Sequence, residues 1–203
     1  NPDFKRYYPN SRMETGIDIL YQWVSRMICL GLYVTGEIPF KDVYLHGMVR
    51  SEDGRKMSKS LGNVVDPAEL LKKYGADAVR VGMVGGRSAG ESAAFAPARI
   101  VAGRNFCNKL WNIARYCENS LAGDTSKPNA APKHSYDHWM LSKLQHTITA
   151  LLDHLEEYRF NEAYEAVYHL IWDDVADWYI EASKHQLNPE MLRYVLETCL
   201  KLA

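Results

Sequence analysis

Apolar positions recur with a period near 3.6 through the second half of this 203-residue chain, a pattern that predicts helices packed on one another. Phe106, Leu110, Ile113 and Cys117 form the core face of a helix running from about Pro97 to Leu121. Leu141, Leu144, Ile148, Leu151 and Leu155 step by 3, 4, 3 and 4, the spacing of a bundle seam. Asn161 stands at the cap of a third helix, with Tyr164, Val167, Tyr168, Ile171, Val175 and either Trp178 or Tyr179 on its inner side. Asn188-Pro189-Glu190 opens a fourth, with Leu192, Val195, Leu196 and Cys199 inward. It reaches Ala203 without a stop signal, so the chain is expected to continue. Gly123 to Ser135, rich in proline and small polar residues, is an exposed connection.

The first half mixes periods. Gly16 to about Val34 reads as one helix, with Ile17, Leu20, Trp23, Val24, Met27 and Leu30 or Leu32 on its apolar side. Val43-Tyr44-Leu45-His46-Gly47-Met48-Val49 combines alternation with β-formers and predicts a strand at least half buried. Asp66-Pro67-Ala68-Glu69 is a helix start, with Asp66 as cap, Pro67 at the first helical position and Glu69 reaching back. Leu70, Leu71 and Tyr74 follow as an apolar stripe, and Gly75 stops the helix. Gly82 to Gly86 reads as a joint. The expected architecture is an α/β part over residues 1–86, followed by an all-α helical bundle over 87–203, mostly helical overall.

Between the strand and the capped helix lies Lys56-Met57-Ser58-Lys59-Ser60. Two lysines three apart can bring two ammonium groups onto one polyphosphate. Lysine suits the task because it is a flexible point charge that follows a departing phosphate without demanding one planar geometry. Gly54 and Gly62 flank the stretch and let the backbone swing. A solvated basic loop is the plainer alternative, but average residue usage puts a chance match to this pentapeptide at roughly one in ten thousand for a chain of this size. Strand, mobile basic loop and helix together form the layout of a nucleotide site at the carboxyl end of an α/β sheet.

Charge and composition narrow the partners. Residues 1–120 carry 17 Lys and Arg against 12 Asp and Glu, a surplus of +5, whereas residues 121–203 carry 7 against 13, or −6. The positive half holds the lysine loop and Arg99, Arg104, Lys109 and Arg115, which suits a polyanion on that side. No apolar run reaches membrane-spanning length, and Asn1-Pro2-Asp3-Phe4-Lys5-Arg6 does not read as a signal peptide. Cys29, Cys107, Cys117 and Cys199 show no paired spacing, which points to core thiols in a reducing, cytoplasmic setting rather than disulfides or zinc. His134 and His138 are four apart, but the first lies in the proline-rich connection, and no metal site is expected. A monomer is the expected state.

His46-Gly47-Met48-Val49, Gly54-Arg55-Lys56-Met57-Ser58-Lys59-Ser60-Leu61-Gly62-Asn63 and Tyr74-Gly75-Ala76-Asp77-Ala78-Val79-Arg80 resemble the signature stretch of the class I aminoacyl-tRNA synthetases. Thr15 to Leu20, Arg104 to Asn112 and Asp177 to Glu181 are similar to the valyl branch of that family, and the likeness runs from about residue 8 to the end. Tyr21-Gln22 departs from it, standing where the family more often has two aromatics. The resemblance implies a Rossmann-type catalytic remnant joined to an anticodon-binding bundle. The first half of the nucleotide fold and the editing insertion are then expected elsewhere. It further implies ATP, carried with Mg²⁺ as a substrate, valine and a valine tRNA as partners. An isoleucyl or leucyl relative and a non-catalytic tRNA-binding module are the alternatives.

The resemblance also implies roles. Lys56 and Lys59 would hold the β- and γ-phosphates, with Lys59 the closer transition-state contact, while Ser58 and Ser60 shape the loop. Gly16 and Asp18 resemble the ribose-binding element; taken by itself, Asp18 could equally cap the helix that starts there. Ile19 would wall the amino-acid pocket. Gly47 and Met48 would approach the adenine through backbone groups, and His46 either touches the nucleotide or packs at the strand end. On the long helix, Lys109, Asn112 and Tyr116 lie at i, i+3 and i+7 with Arg115 adjacent. A cation, amide and aromatic ring together suit unstacked anticodon bases. A solvated polar face is the alternative. Trp111, Trp172, Trp178 and Tyr179 are expected in the core.

Overall fold

The computed structural model describes residues 1–203 as two compact units, Asn1–Val65 with Arg87–Ala96, and Asp66–Gly86 with Pro97–Ala203. The division differs from a single cut at residue 86, because the segment after the lysine loop folds with the bundle.

In the first unit, α1 (Pro2–Tyr7) precedes β1 (Asn10–Gly16), α2 (Ser25–Thr35) and β2 (Phe40–His46). The two strands are parallel, with Asn10 opposite Phe40 and Gly16 opposite His46, so both end at the same edge. Two-residue strands β3 (Val49–Arg50) and β4 (Ala93–Ala94) form a second parallel pair. The strand predicted to run through to Val49 therefore breaks at Gly47-Met48. The segment predicted as one helix from Gly16 is a tight 3₁₀ turn at Ile17–Ile19, a wide π turn at Leu20–Val24 and then α2. Its apolar side is only partly covered: Val24 is buried, but Ile17, Trp23, Leu30 and Leu32 are exposed. Two strands supply too little sheet to cover it.

The second unit opens with α3 (Pro67–Tyr74) and α4 (Ala76–Val84). Asp66 caps α3 by accepting from Ala68 N–H at 2.8 Å, while the return bond expected from Glu69 does not form. α4 continues through Gly82 and packs along α5 (Pro97–Ser120), where a side chain at Gly82 would strike the Ile100 backbone. This close approach occupies the position read as a joint; the chain turns only at Gly85-Gly86. Next come α6 (Ser135–Glu156), α7 (Phe160–His169), a π-helical stretch Leu170–Tyr179, α8 (Ile180–Ser183) and α9 (Pro189–Leu202). One core joins them, including Phe106, Ile113, Cys117, Met140, Leu144, Val167, Ile171, Val175, Leu192 and Cys199.

Three bundle expectations change. The buried row of α6 is Asp137, Met140, Leu144 and Thr147, while Leu155 is exposed. Asp137 turns that face inward because four donors satisfy it: Lys133 N–H (2.9 Å), His134 N–H (3.2 Å), Asn188 Nδ2 (2.9 Å) and Tyr179 Oη (3.0 Å). Asn161 caps nothing; its Oδ1 accepts from Gly86 N–H and its Nδ2 donates to Glu165. Trp111 and Trp178 are 71% and 69% exposed rather than core, whereas Tyr179 is buried.

Candidate nucleotide site and RNA-facing helix

β1 and β2 end side by side, so the residues that follow them converge. Gly16 closes β1 opposite His46, and a side chain there would meet the Asp18 carboxylate, the Met48 sulfur and the His46 ring. Asp18 lies in the 3₁₀ turn, where no side-chain cap bond forms. The capping alternative is thereby removed. Its Oδ2 accepts instead from Lys56 Nζ at 3.3 Å, a contact across 38 positions of sequence. Ile19 is half-buried beside it.

His46 faces acceptors on both ring nitrogens, the Gly47 carbonyl at 2.9 Å from Nδ1 and Glu14 Oε1 at 3.2 Å from Nε2. It is therefore paired at the surface rather than packed. Gly47 must be glycine, because a Cβ would lie 1.8 Å from the Glu91 carbonyl. Met48 N–H donates to Ser92 Oγ at 3.0 Å, and its carbonyl accepts from Ala93 N–H at 3.2 Å. Both Met48 backbone groups expected to face a base are thus engaged by the chain itself.

The lysine loop hangs from a compact turn. Ser51, 7% exposed, donates its hydroxyl proton to Asp53 Oδ1 at 2.5 Å, with the Arg55 carbonyl at 2.9 Å as the alternative acceptor. The bond from Ser51 and those from the Arg55 backbone and guanidinium hold the Asp53 carboxyl down at about 2. Gly54 and Gly62 adopt left-handed φ values of 81° and 63°, which bound the loop on both sides. Arg50 bridges back to Lys56, and Ser58 and Ser60 share a hydrogen bond at 2.7 Å, which agrees with their shaping role. Asn63 was missed as a functional residue; its place at the close of the glycine-bounded stretch was the available signal. It accepts from Ser58 N–H at 2.8 Å and donates to the Lys56 carbonyl and Ser51 Oγ, each at 3.2 Å. Lys59 is exposed and without a protein partner.

On α5 the four predicted RNA contacts separate. Asn112 and Arg115 are exposed, and Trp111 stands exposed beside them. Lys109 is not on that face: its Nζ pairs with Asp177 at 2.9 Å and lies 4.8 Å from the centre of the Trp172 ring. Tyr116 packs against the core with Lys184 Nζ 5.8 Å from its ring centre. No group of three or more His, Cys, Asp or Glu side chains is arranged to hold a metal ion. No helix is long and apolar enough to cross a membrane.

Two parallel strands, a lysine-bearing loop and then a helical bundle form a layout to which two family models match. Residues 1–95 match the model of tRNA synthetases class I (I, L, M and V), and residues 137–203 match the anticodon-binding domain of tRNA ligase. Those two stretches carry class I tRNA synthetase and anticodon-binding sequence. The chain is 44% identical to the valine–tRNA ligase of Lactobacillus acidophilus over 216 residues, and 43% identical to that of Geobacillus kaustophilus over 214. In both cases all of this chain aligns to 24% of the relative, so it spans about a quarter of the length of the curated relatives it matches.

Solved structures agree on the fold. The leucyl enzyme of Agrobacterium radiobacter K84, in a ternary complex with tRNA and LeuAMS, superposes with a TM-score of 0.81 at 23% identity, covering 96% of this chain and 25% of that one. Mycobacterium tuberculosis methionyl-tRNA synthetase with methionyl-adenylate gives 0.75 at 24% identity, covering 98% and 41%.

Proposed function

We propose that this chain is the lysine-loop and anticodon-binding portion of a valine–tRNA ligase, and that the complete enzyme activates valine with ATP and transfers it to a valine tRNA. The observation that carries this reading is the meeting of Asp18 and Lys56 at the carboxyl ends of β1 and β2. A ribose acceptor and a phosphate-binding cation lie 3.3 Å apart there, on segments distant in sequence.

In the first half-reaction a valine carboxylate oxygen attacks the α-phosphorus of ATP. A carboxyl–phosphate anhydride bond forms, the α–β phosphoanhydride bond breaks, and pyrophosphate departs with the bond's electron pair. The Mg²⁺ that accompanies ATP arrives with the substrate. Little covalent chemistry falls to the protein, so positioning and charge dominate. Gly16 admits the sugar to the β1 backbone, and Asp18 accepts from its vicinal hydroxyls. Lys56 must exchange Asp18 for phosphate as nucleotide enters; an exposed ion pair is weak enough to allow that. Lys59, unpaired in the structure, meets the leaving pyrophosphate. Gly47 and Met48 line the adenine side with His46, and Ile19 walls the valine pocket.

Asn112, Arg115 and exposed Trp111 on α5 supply amide, cation and stacking groups for anticodon bases, while Tyr116 backs them from the core side. Lys109 contributes by holding the neighbouring stretch through Asp177. The test is amino-acid-dependent pyrophosphate exchange by the full-length chain. Exchange driven by valine supports the reading; exchange driven by isoleucine or leucine, or none at all, overturns it.

A further inference from the structure

We infer that Asn63 is a positioning residue for the two loop lysines, a clasp whose three hydrogen bonds set where both ammonium groups start. The inference rests on the functional reading above and extends it to a residue that touches no substrate.

The bonds are unusually placed. Asn63 Oδ1 accepts from Ser58 N–H and Nδ2 donates to the Lys56 carbonyl, so one side chain grips the backbone on both sides of Met57. These bonds fix the peptide that carries Lys56 and the residue immediately before Lys59. The amide orientation is forced: a backbone N–H only donates and a carbonyl only accepts. The third bond, Nδ2 to Ser51 Oγ, ties the clasp to the buried serine just after β3. Ser51 is itself held by its hydroxyl on Asp53 and by its backbone N–H on the Arg55 carbonyl. A chain of side-chain bonds thus connects the sheet to the loop, and from that base Lys56 extends to Asp18.

The residue type fits the task. Only a neutral amide supplies an acceptor and two donors at one carbon. An aspartate could accept from Ser58 but not donate to Lys56 or Ser51. Its charge would also compete with phosphates for the lysines. Leucine or alanine would leave the loop backbone free to sample many lysine positions. Misplacing a reacting or charge-bearing group by about 1 Å can cost on the order of 100-fold in rate.

The experiment uses the full-length chain with Asn63→Ala, Ser51→Ala and the double variant, read by valine-dependent pyrophosphate exchange and by amide hydrogen exchange over residues 56–62. Asn63→Ala should lower kcat by about 10- to 100-fold with the valine KM unchanged, and should speed exchange at the Ser58 amide. The double variant should lose less than the product of the single losses, because the two residues share a bond. A kcat within twofold of the parent, or strictly multiplicative effects, would overturn the inference. Should the parent show no valine-dependent exchange, the functional reading fails by itself. The clasp is then decided by hydrogen exchange: unchanged protection at 56–60 in Asn63→Ala sinks it.

Discussion

Asn63 in the lysine loop and Asp137 in the bundle each gather several hydrogen bonds onto one side chain, yet they sit in opposite surroundings. Asp137 has no exposed surface, and its four donors come from the connection, the π-helical stretch and the start of α9. Asn63 is half-buried and follows closely on the exposed Lys56 and Lys59. Water can replace a partner of Asn63 with little penalty, whereas a donor stranded around Asp137 finds none. One polar hub steadies a loop whose lysines must move; the other holds a core that must not. Sequence position says little about which is which, since both are short polar side chains near a helix start.

Three substitutions would break or sharpen that contrast. The largest effect is expected at the loop. Lys59→Ala should reduce adenylate formation by roughly 10²–10³ in the full-length enzyme, while tRNA affinity, read by filter binding, stays put. Asp137→Ala should do the reverse. It strands buried donors and should cost about 3–4 kcal/mol of unfolding free energy, seen in a denaturant titration. Tyr179→Phe removes one of the four donors and should cost about 1 kcal/mol.

The same hub makes stability depend on pH. Burial raises the Asp137 carboxyl pKa, but the bonds from Asn188, Lys133, Tyr179 and His134 outweigh it and hold the net value below the ordinary range. Stability from this group is therefore present above about pH 4 and lost as pH falls through the lowered folded value. In Asp137→Ala that acid-side loss should be smaller. Burial raises the Tyr179 hydroxyl, so its contribution is complete below about pH 10 and declines above that.

The smallest effect is chemical. Burial pushes the Cys117 and Cys199 thiols up to about 11 and about 12, so both should resist alkylation at pH 8 while exposed Cys29 reacts. Tyr179→Phe should speed labelling of the buried pair only as far as it promotes opening. Labelling of all four thiols at one rate would contradict the packed core.

Much of this was legible in advance because its causes are local. Strand β2, the capped α3, the long α5 and the glycine-bounded lysine loop each follow from spacing within about ten residues. The misreadings share a different cause. Trp111 and Trp178 look like core residues because aromatic side chains on helices usually are; exposure depends on what lies opposite them. The α6 seam meets the core as read at Leu141, Leu144 and Leu151, and turns toward Met140 because Asp137 counts as polar until Asn188 and Tyr179 satisfy it. The single helix read from Gly16 became three kinds of turn, a change no apolar pattern records. Within the site, Gly16, Asp18, Lys56 and Asn63 all stand in motif stretches, whereas the partners of Asn63 and Ser51 depend on how the loop folds back.

The pairing of Lys109 with Asp177 has a consequence in the language of counterions. A cation already paired within its own protein neutralises no phosphate and so releases none of the counterions condensed on RNA, and RNA binding along α5 should draw its salt dependence from Arg104 and Arg115. Each phosphate neutralised on single-stranded RNA adds about 0.7 to the slope of log affinity against log salt. Lys109→Ala should leave the number of neutralised phosphates unchanged and lower affinity most at low salt, because the Asp177 carboxylate it uncovers is screened as salt rises.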